Sequence, residues 1–285
     1  MSADIHSQAA DFMRIIDTHL HLVYPDRFSY PWLSGAPAIN KPWTVESYWA
    51  EAAPLGIEAA LHMEVDVAEP QMTEESAFVL GLDRVIGAIA NGRPEHANFE
   101  RHLERLQGLG GVKGIRRLLQ GQPAELSQTQ TFIDNIRLLP RYGMTFDICV
   151  KSHELMLAPP LIEACPQTQF VLDHCGNPKI AEREWESWTT RMERVAELPN
   201  VVCKVSGILA NVDDSWTVDQ LRPYVEFVIE TFGWDRVVWG SDHPVVTLFA
   251  DLTRWVNASR EIVGSASQEE QEKLFSINAE RVYRL

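Results

Sequence analysis

Two histidines, His19 and His21, stand two residues apart at the end of an apolar run that begins at Arg14. On a β-strand, residues at that spacing face the same side. A pair of imidazoles so placed can hold one metal ion between them. The alternative is a pair of hydrogen-bonded structural histidines. It loses ground because His174 and Asp242 end other apolar runs. An acid closing the run Trp239-Gly240-Ser241-Asp242 is costly to bury unless it is paired or doing chemistry. His174 shares the parity of Phe170 and Leu172, which predicts that it points inward at the top of its strand.

Arg116 and Arg117 interrupt a further apolar run, so one of them must face inward and the other outward. The inward guanidinium could clamp a carboxylate or hydroxyls with its fork of donors. His62, Glu64, Lys151, His153 and Lys204 fall at or just beyond other strand ends and form a second rank of candidates for contacting substrate. His243 follows Asp242 directly and should point away from it. His6, His96 and His102 lie in polar or helical stretches and read as surface residues.

The elements that must carry these side chains are eight short runs rich in Val, Ile and Leu: Arg14–Leu22, Ile57–Val65, Arg84–Ala90, Val112–Leu119, Met144–Val150, Gln169–His174, Val201–Ser206 and Arg236–Asp242. Continuous apolar runs of this length suit parallel strands covered on both faces. Helical spacing recurs between them, over Phe99–Leu109, Thr131–Tyr142, Trp185–Leu198 and Leu221–Phe232. Asp219 and Ser152 read as helix N-caps, and Gly143 and Gly233 as helix stops. Eight strands alternating with helices predict an α/β fold, the (β/α)8 TIM barrel, as a single domain over residues 1–285. In such a barrel the reactive groups gather at the C-terminal ends of the strands, where these candidates fall. The segment Tyr24–Thr44 has Pro25, Pro31, Pro37 and Pro42, two tryptophans and no period. It follows the first strand and so reads as a cover over the catalytic mouth, with Trp32 set to contact substrate.

Composition narrows the class. The 285 residues carry a formal charge of −15, which disfavours nucleic acid and anionic membrane as partners and leaves a small-molecule substrate. No G-x-G-x-x-G or Walker loop follows an early strand, and no G-x-S-x-G elbow signals a serine nucleophile. Cys149, Cys165, Cys175 and Cys203 form no C-x-x-C pair and read as reduced, buried thiols. Met1–Met13 lacks the pattern of a secretory signal, and no run is long enough to span a bilayer, so the expected compartment is the cytoplasm. Nine tryptophans, several in polar segments, leave room for a homo-oligomeric contact.

Together, Ile16-Asp-Thr-His-Leu-His21, Gly114-Ile-Arg-Arg117, Phe170-Val-Leu-Asp-His-Cys-Gly-Asn-Pro178, Val202-Cys-Lys-Val-Ser-Gly207 and Trp239-Gly-Ser-Asp-His-Pro244 carry a resemblance. The chain resembles the amidohydrolase superfamily, specifically the amidohydrolase-2 branch of sugar lactonases, L-fuconolactonase among them, and 2-pyrone-4,6-dicarboxylate lactonase. The likeness runs over essentially the whole chain. It implies hydrolytic ring opening of a lactone, with family roles on His19, His21, His174, Arg116 and Asp242. Two-metal members of the superfamily carry a bridging lysine on strand four. The arginines there imply instead one divalent metal, zinc by preference, held by His19, His21 and Asp242, or none at all. Asp242 would serve as general base, with the oxyanion held by the metal or by protonated His174 and Arg116. Lys151, Lys204 and the arginines would form a basic pocket for a hydroxylated or carboxylated substrate. The rival readings are a metal-dependent decarboxylase or amide hydrolase on the same barrel, and a barrel that binds a small molecule without turnover.

Overall fold

The computed structural model describes residues 13–213 and 215–285. His6 and nearly all of the Met1–Met13 stretch lie outside them. Eight strands run in chain order and pair in parallel with their sequence neighbours: β1 (Ile15–Leu20), β2 (Ile57–Met63), β3 (Val85–Asn91), β4 (Val112–Leu118), β5 (Thr145–Cys149), β6 (Phe170–Leu172), β7 (Val201–Val205) and β8 (Val237–Trp239). The ring closes where β1 meets the end of β8. There His21 N–H donates to the His243 carbonyl at 2.8 Å, and Asp242 N–H donates to the His19 carbonyl at 2.9 Å. The fold is a (β/α)8 barrel, and each strand lies within one of the apolar runs except that β3 extends one residue past its run, to Asn91.

The helices between strands are α1 (Val45–Ala52), α2 (Met72–Val79), α3 (Phe99–Gln107), α4 (Gln130–Ile136), α5 (Ala158–Ala164), α6 (Glu186–Ala196) and α7 (Val218–Phe232). After β8 the chain forms α8 (Leu252–Ile262), α9 (Gln268–Glu272) and α10 (Asn278–Tyr283). The caps differ in part from expectation. Thr217, not Asp219, caps α7, in a reciprocal box with Gln220. Asp219 sits inside the first turn, where its charge suits the helix dipole. Ser152 opens a 3-10 turn, Ser152–Leu157, ahead of α5. Gly143 takes φ 68° in ending the 3-10 turn after α4. Gly233 (φ 73°) ends α7.

Strand alternation sorts the core into two layers. Phe170, Leu172, Val201, Cys203, Val237 and Trp239 face the helices in the large outer core. Their neighbours Val171, Val202 and Val238 face inward and, with Leu61, Met63, Ile89 and Tyr283, fill the barrel below its mouth. A third cluster, including Val23, Phe28, Tyr30, Leu33 and Ile39, lies under the 24–44 segment and packs it against Val65 and Val67 beyond β2. All four cysteines are free and buried. Among the described residues no helix is long and apolar enough to cross a membrane.

Candidate active site

At the C-terminal mouth, β1 delivers His19 and His21 and the turn after β8 delivers Asp242. Asp242 Oδ1 lies 3.7 Å from His19 Nε2 and 3.6 Å from His21 Nε2. Asp17, two residues before His19, holds this corner together. One of its carboxylate oxygens accepts from the backbone N–H groups of His19 (3.0 Å) and Ser241 (2.8 Å), and the other from the Tyr48 hydroxyl (2.6 Å). Asp242 itself has φ 58°, a left-handed conformation that a non-glycine residue adopts at some cost.

The Nδ1 proton of His21 follows from its neighbour. His21 Nδ1 lies 3.0 Å from the Met63 carbonyl oxygen, which can only accept. The proton is therefore on Nδ1, and the Nε2 lone pair faces Asp242. Burial, reinforced by Lys204, holds His19 well below the usual histidine range, so that ring is neutral. Its Nε2 lies 3.3 Å from Arg116 Nη1, and its Nδ1 lies 3.3 Å from Lys204 Nζ and 3.5 Å from Asp173 Oδ1.

His174 reaches the mouth by a different route from the one its parity predicts. Phe170 and Leu172 face outward, and Asp173 faces in, so a strand continued to residue 174 would have turned the imidazole toward the helices. The strand stops at Leu172 instead, and the chain passes through left-handed φ at His174 (59°), Cys175 (51°) and Asn177 (53°). This re-aims the ring inward. Its Nδ1 lies 3.0 Å from Ser206 Oγ. Burial lowers the His174 pKa, which disfavours the imidazolium form. Gly207 makes room for it, since a Cβ there would stand 2.1 Å from His174 Nδ1.

Of the two strand-four arginines, Arg116 faces inward. It binds Glu64 through Nε–Oε1 at 2.6 Å and through Nη2 to the Glu64 carbonyl at 2.9 Å. Glu64 is braced by Asn91, whose side-chain N–H donates to it at 2.8 Å. Asn91 closes β3, and sequence reasoning passed over it. The available signal was a polar residue ending an otherwise apolar strand. Arg117 points outward and pairs with Glu95 at 2.9 Å.

Beneath His19 lies a buried charge cluster. Lys204 Nζ sits 2.7 Å from Asp147 Oδ2 and 2.9 Å from Asp173 Oδ1. Burial would lower the lysine pKa, but the two carboxylates hold it well above its ordinary value. Burial pushes Asp147 up to about 6 against the pull of Lys204, while Lys204 and His19 overcome burial at Asp173 and hold it down.

Above these groups opens a cavity of about 230 Å³. His21, Arg116, His174 and Asp242 lie at its polar end, and Trp32 lines its wall. Several residues expected at the substrate are elsewhere. Lys204 is fully buried under the site. Arg117 is turned to the helices, Lys151 is exposed, and His153 is 60% exposed beside Glu154. The expected basic pocket is thus reduced to Arg116. His62 is buried and Glu64 acts on Arg116 from behind, so neither lines the cavity. Cys149, read as strand packing, does line it. His243 is buried between Trp43 and Tyr48, away from Asp242 as expected. His96 is exposed, whereas His102 is half-buried with Nε2 2.9 Å from the Asn91 carbonyl oxygen.

With this geometry in place, comparison with known proteins gives the class. Residues 16–285 match the amidohydrolase family model, and the chain belongs to that family. An L-fucono-1,5-lactonase from Burkholderia multivorans is 26% identical over 304 residues, which cover 95% of this chain and 96% of the relative. An L-fucono-1,5-lactonase from Burkholderia ambifaria is 32% identical over 153 residues, half of this chain and 51% of its own. The crystal structure of an amidohydrolase from Burkholderia multivorans with bound zinc superimposes with a TM-score of 0.88 at 20% identity, covering 95% of this chain and 99% of the other. The protein is a hydrolytic enzyme of this family.

Proposed function

We propose that the protein opens the ester ring of a small lactone by adding water to its carbonyl, yielding a hydroxy acid. The observation that carries this reading is the approach of Asp242 to the Nε2 atoms of His19 and His21 at the floor of a cavity that Arg116 and His174 also line. The lactonase names of two relatives point the same way.

The residues divide the work as follows. Asp242 takes a proton from a water in the cavity, and the water oxygen bonds to the lactone carbonyl carbon. The charge that develops on the carbonyl oxygen is met by the Arg116 guanidinium, whose Nε and Nη2 are held by Glu64 and whose Nη1 lies beside His19 Nε2. His174 faces the same space, with its ring held by the Ser206 hydroxyl. As the ring C–O bond breaks, Asp242 returns its proton to the leaving alkoxide.

The donor set also fits one divalent cation. His19 and His21 present Nε2 atoms about 3.6–3.7 Å from Asp242 Oδ1. Donors around a tetrahedral ion with ~2.0–2.1 Å bonds stand roughly 3.3 Å apart, and the donors that already lie within 4.8 Å of one another are those of His19, His174 and Asp242, so His21 would have to swing toward His19 to join them. The Met63 carbonyl fixes the His21 tautomer in the manner usual for ligating histidines. His174 belongs to the same cluster as His19 and Asp242. An ion held by His19, His21 and Asp242 would supply Lewis-acid polarisation. It would compete with Arg116 Nη1 for His19 Nε2, and zinc suits this nitrogen and carboxylate set.

The test is acid release from a panel of 1,4- and 1,5-lactones, with 2-pyrone-4,6-dicarboxylate included, with and without chelator. Turnover of a lactone that disappears in Asp242→Asn supports the reading. Silence across the panel from folded, metal-replete protein overturns it.

A further inference from the structure

Most residues lining the cavity are apolar. The walls above His21, Arg116, His174 and Asp242 are formed by Val23, Trp32, Leu33, Ile39, Val65 and Val245. Trp32 illustrates the character of this wall. Its indole N–H donates to the Val65 carbonyl at 2.7 Å, so what remains for a ligand is the face of the ring. Trp32 is still 38% exposed, a large apolar surface left open at the mouth. Leu33 and Ile39 belong to the apolar cluster that fastens the 24–44 segment down, so this wall is built into the fold.

Three further polar side chains line the cavity, Asn177, Asp66 and Gln120, and of these Asn177 is committed to the protein through both ends of its amide. Asn177 donates to the Val150 carbonyl at 2.8 Å and accepts from Asn211 at 3.3 Å. Asp66 accepts from Arg93 at 3.0 Å and Asn91 at 3.2 Å through one oxygen, Oδ1, and Gln120 meets only the Cys149 thiol at 3.9 Å, so these two lie open to a few polar groups of a ligand. Hydroxyls of a ring substituent facing the Trp32, Leu33, Ile39 and Val245 wall would be buried against hydrocarbon without partners, which costs free energy for each. A hydrocarbon substituent would bury its surface there at a gain.

We infer that the substrate is a lactone carrying a hydrocarbon substituent: the ring ester lies against Arg116 and Asp242, and the substituent against Trp32, Leu33, Ile39 and Val245. This inference rests on the lactone-hydrolase reading for its ring and on the wall residues for its substituent.

Two measurements separate these parts. The first compares kcat/KM for γ- and δ-lactones with alkyl chains of increasing length against aldonolactones of the same ring size. The expected result is a rise of roughly fourfold per methylene over the first few carbons, from the burial of each CH₂, and alkyl lactones ahead of aldonolactones. The rise should flatten in Trp32→Ala, a substitution at a partly exposed position. The second is calorimetric binding of the ring-opened products, 4-hydroxyalkanoates against aldonates, which needs no turnover. Aldonolactones favoured tenfold or more, with aldonates binding more tightly, would overturn the inference and leave lactone hydrolysis standing. No lactone opened, but affinity rising with chain length, would overturn the ester chemistry and leave the hydrocarbon site standing. Chain-length-independent kinetics and binding would overturn the inference directly.

Discussion

Lys204 of β7 places its ammonium 2.7 Å from the Asp147 carboxylate of β5, with both side chains fully buried beneath His19. The pair spans the barrel interior, and Asp173 shares the lysine at 2.9 Å. Removing the cation would strand two carboxylates away from water. Lys204→Met is expected to lower the unfolding free energy by about 3–5 kcal/mol, the usual cost of breaking a buried pair. Denaturant unfolding measures it, and a change under 1 kcal/mol would show that the cluster is not held by this charge.

Asp242→Asn keeps the shape of the side chain and removes its ability to take a proton. We expect kcat to fall by about 10²–10⁴-fold with the far-ultraviolet dichroism and melting temperature nearly unchanged. Activity within a few-fold of the parent would assign the base role elsewhere.

Gly207→Ala tests the placement of His174. The added methyl would meet the ring at 2.1 Å and strain a backbone held at φ +55°. Displacing the imidazole by about 1 Å should cost on the order of 10²-fold in kcat/KM. Retained activity would mean that His174 need not stand where Ser206 holds it.

For the metal, cobalt(II) is a spectroscopic probe independent of turnover. Chelator-treated protein should develop visible absorption that saturates near one ion per chain, and His21→Ala should abolish it. A flat titration with the parent protein would leave Arg116 as the electrophile without a metal.

Glu184 gives a pH dependence remote from the site. Burial alone would raise its carboxyl, but hydrogen bonds from Ser152, Arg191, Ser187 and the Lys179 N–H prevail and bring it down to about 2 from an ordinary 4.5. A depressed carboxylate stabilises the fold above its unfolded pKa, and that contribution fades as pH falls through the folded value. The stability gap between the parent and Glu184→Gln should therefore be constant above about pH 4.5 and close between 4.5 and 2. A gap that persists unchanged at pH 2 would contradict this assignment.

Much of this enzyme could be read from local pattern. Strand positions followed from short apolar runs, because burial on both faces leaves little choice of residue. Closure into a barrel followed from eight strands alternating with helices. His19 and His21 could be placed on one face because the strand period is two, and Asp242 stood out because an acid at the end of an apolar run needs a reason. The family resemblance then attached chemistry to those positions.

Other features depended on relations between distant segments. Parity placed His174 inward for the wrong reason, since its direction is set by left-handed turns after a strand that ends two residues earlier. Which of Arg116 and Arg117 faces the barrel was settled by the register of β4. Lys204, Lys151 and His153 looked alike as cations near strand ends, yet one is a buried counterion and two are in solvent. Sequence reports residue type and local period. Whether a charge meets substrate, a partner carboxylate or water depends on what six or seven other strands bring to the same point, and that is fixed only when the barrel closes.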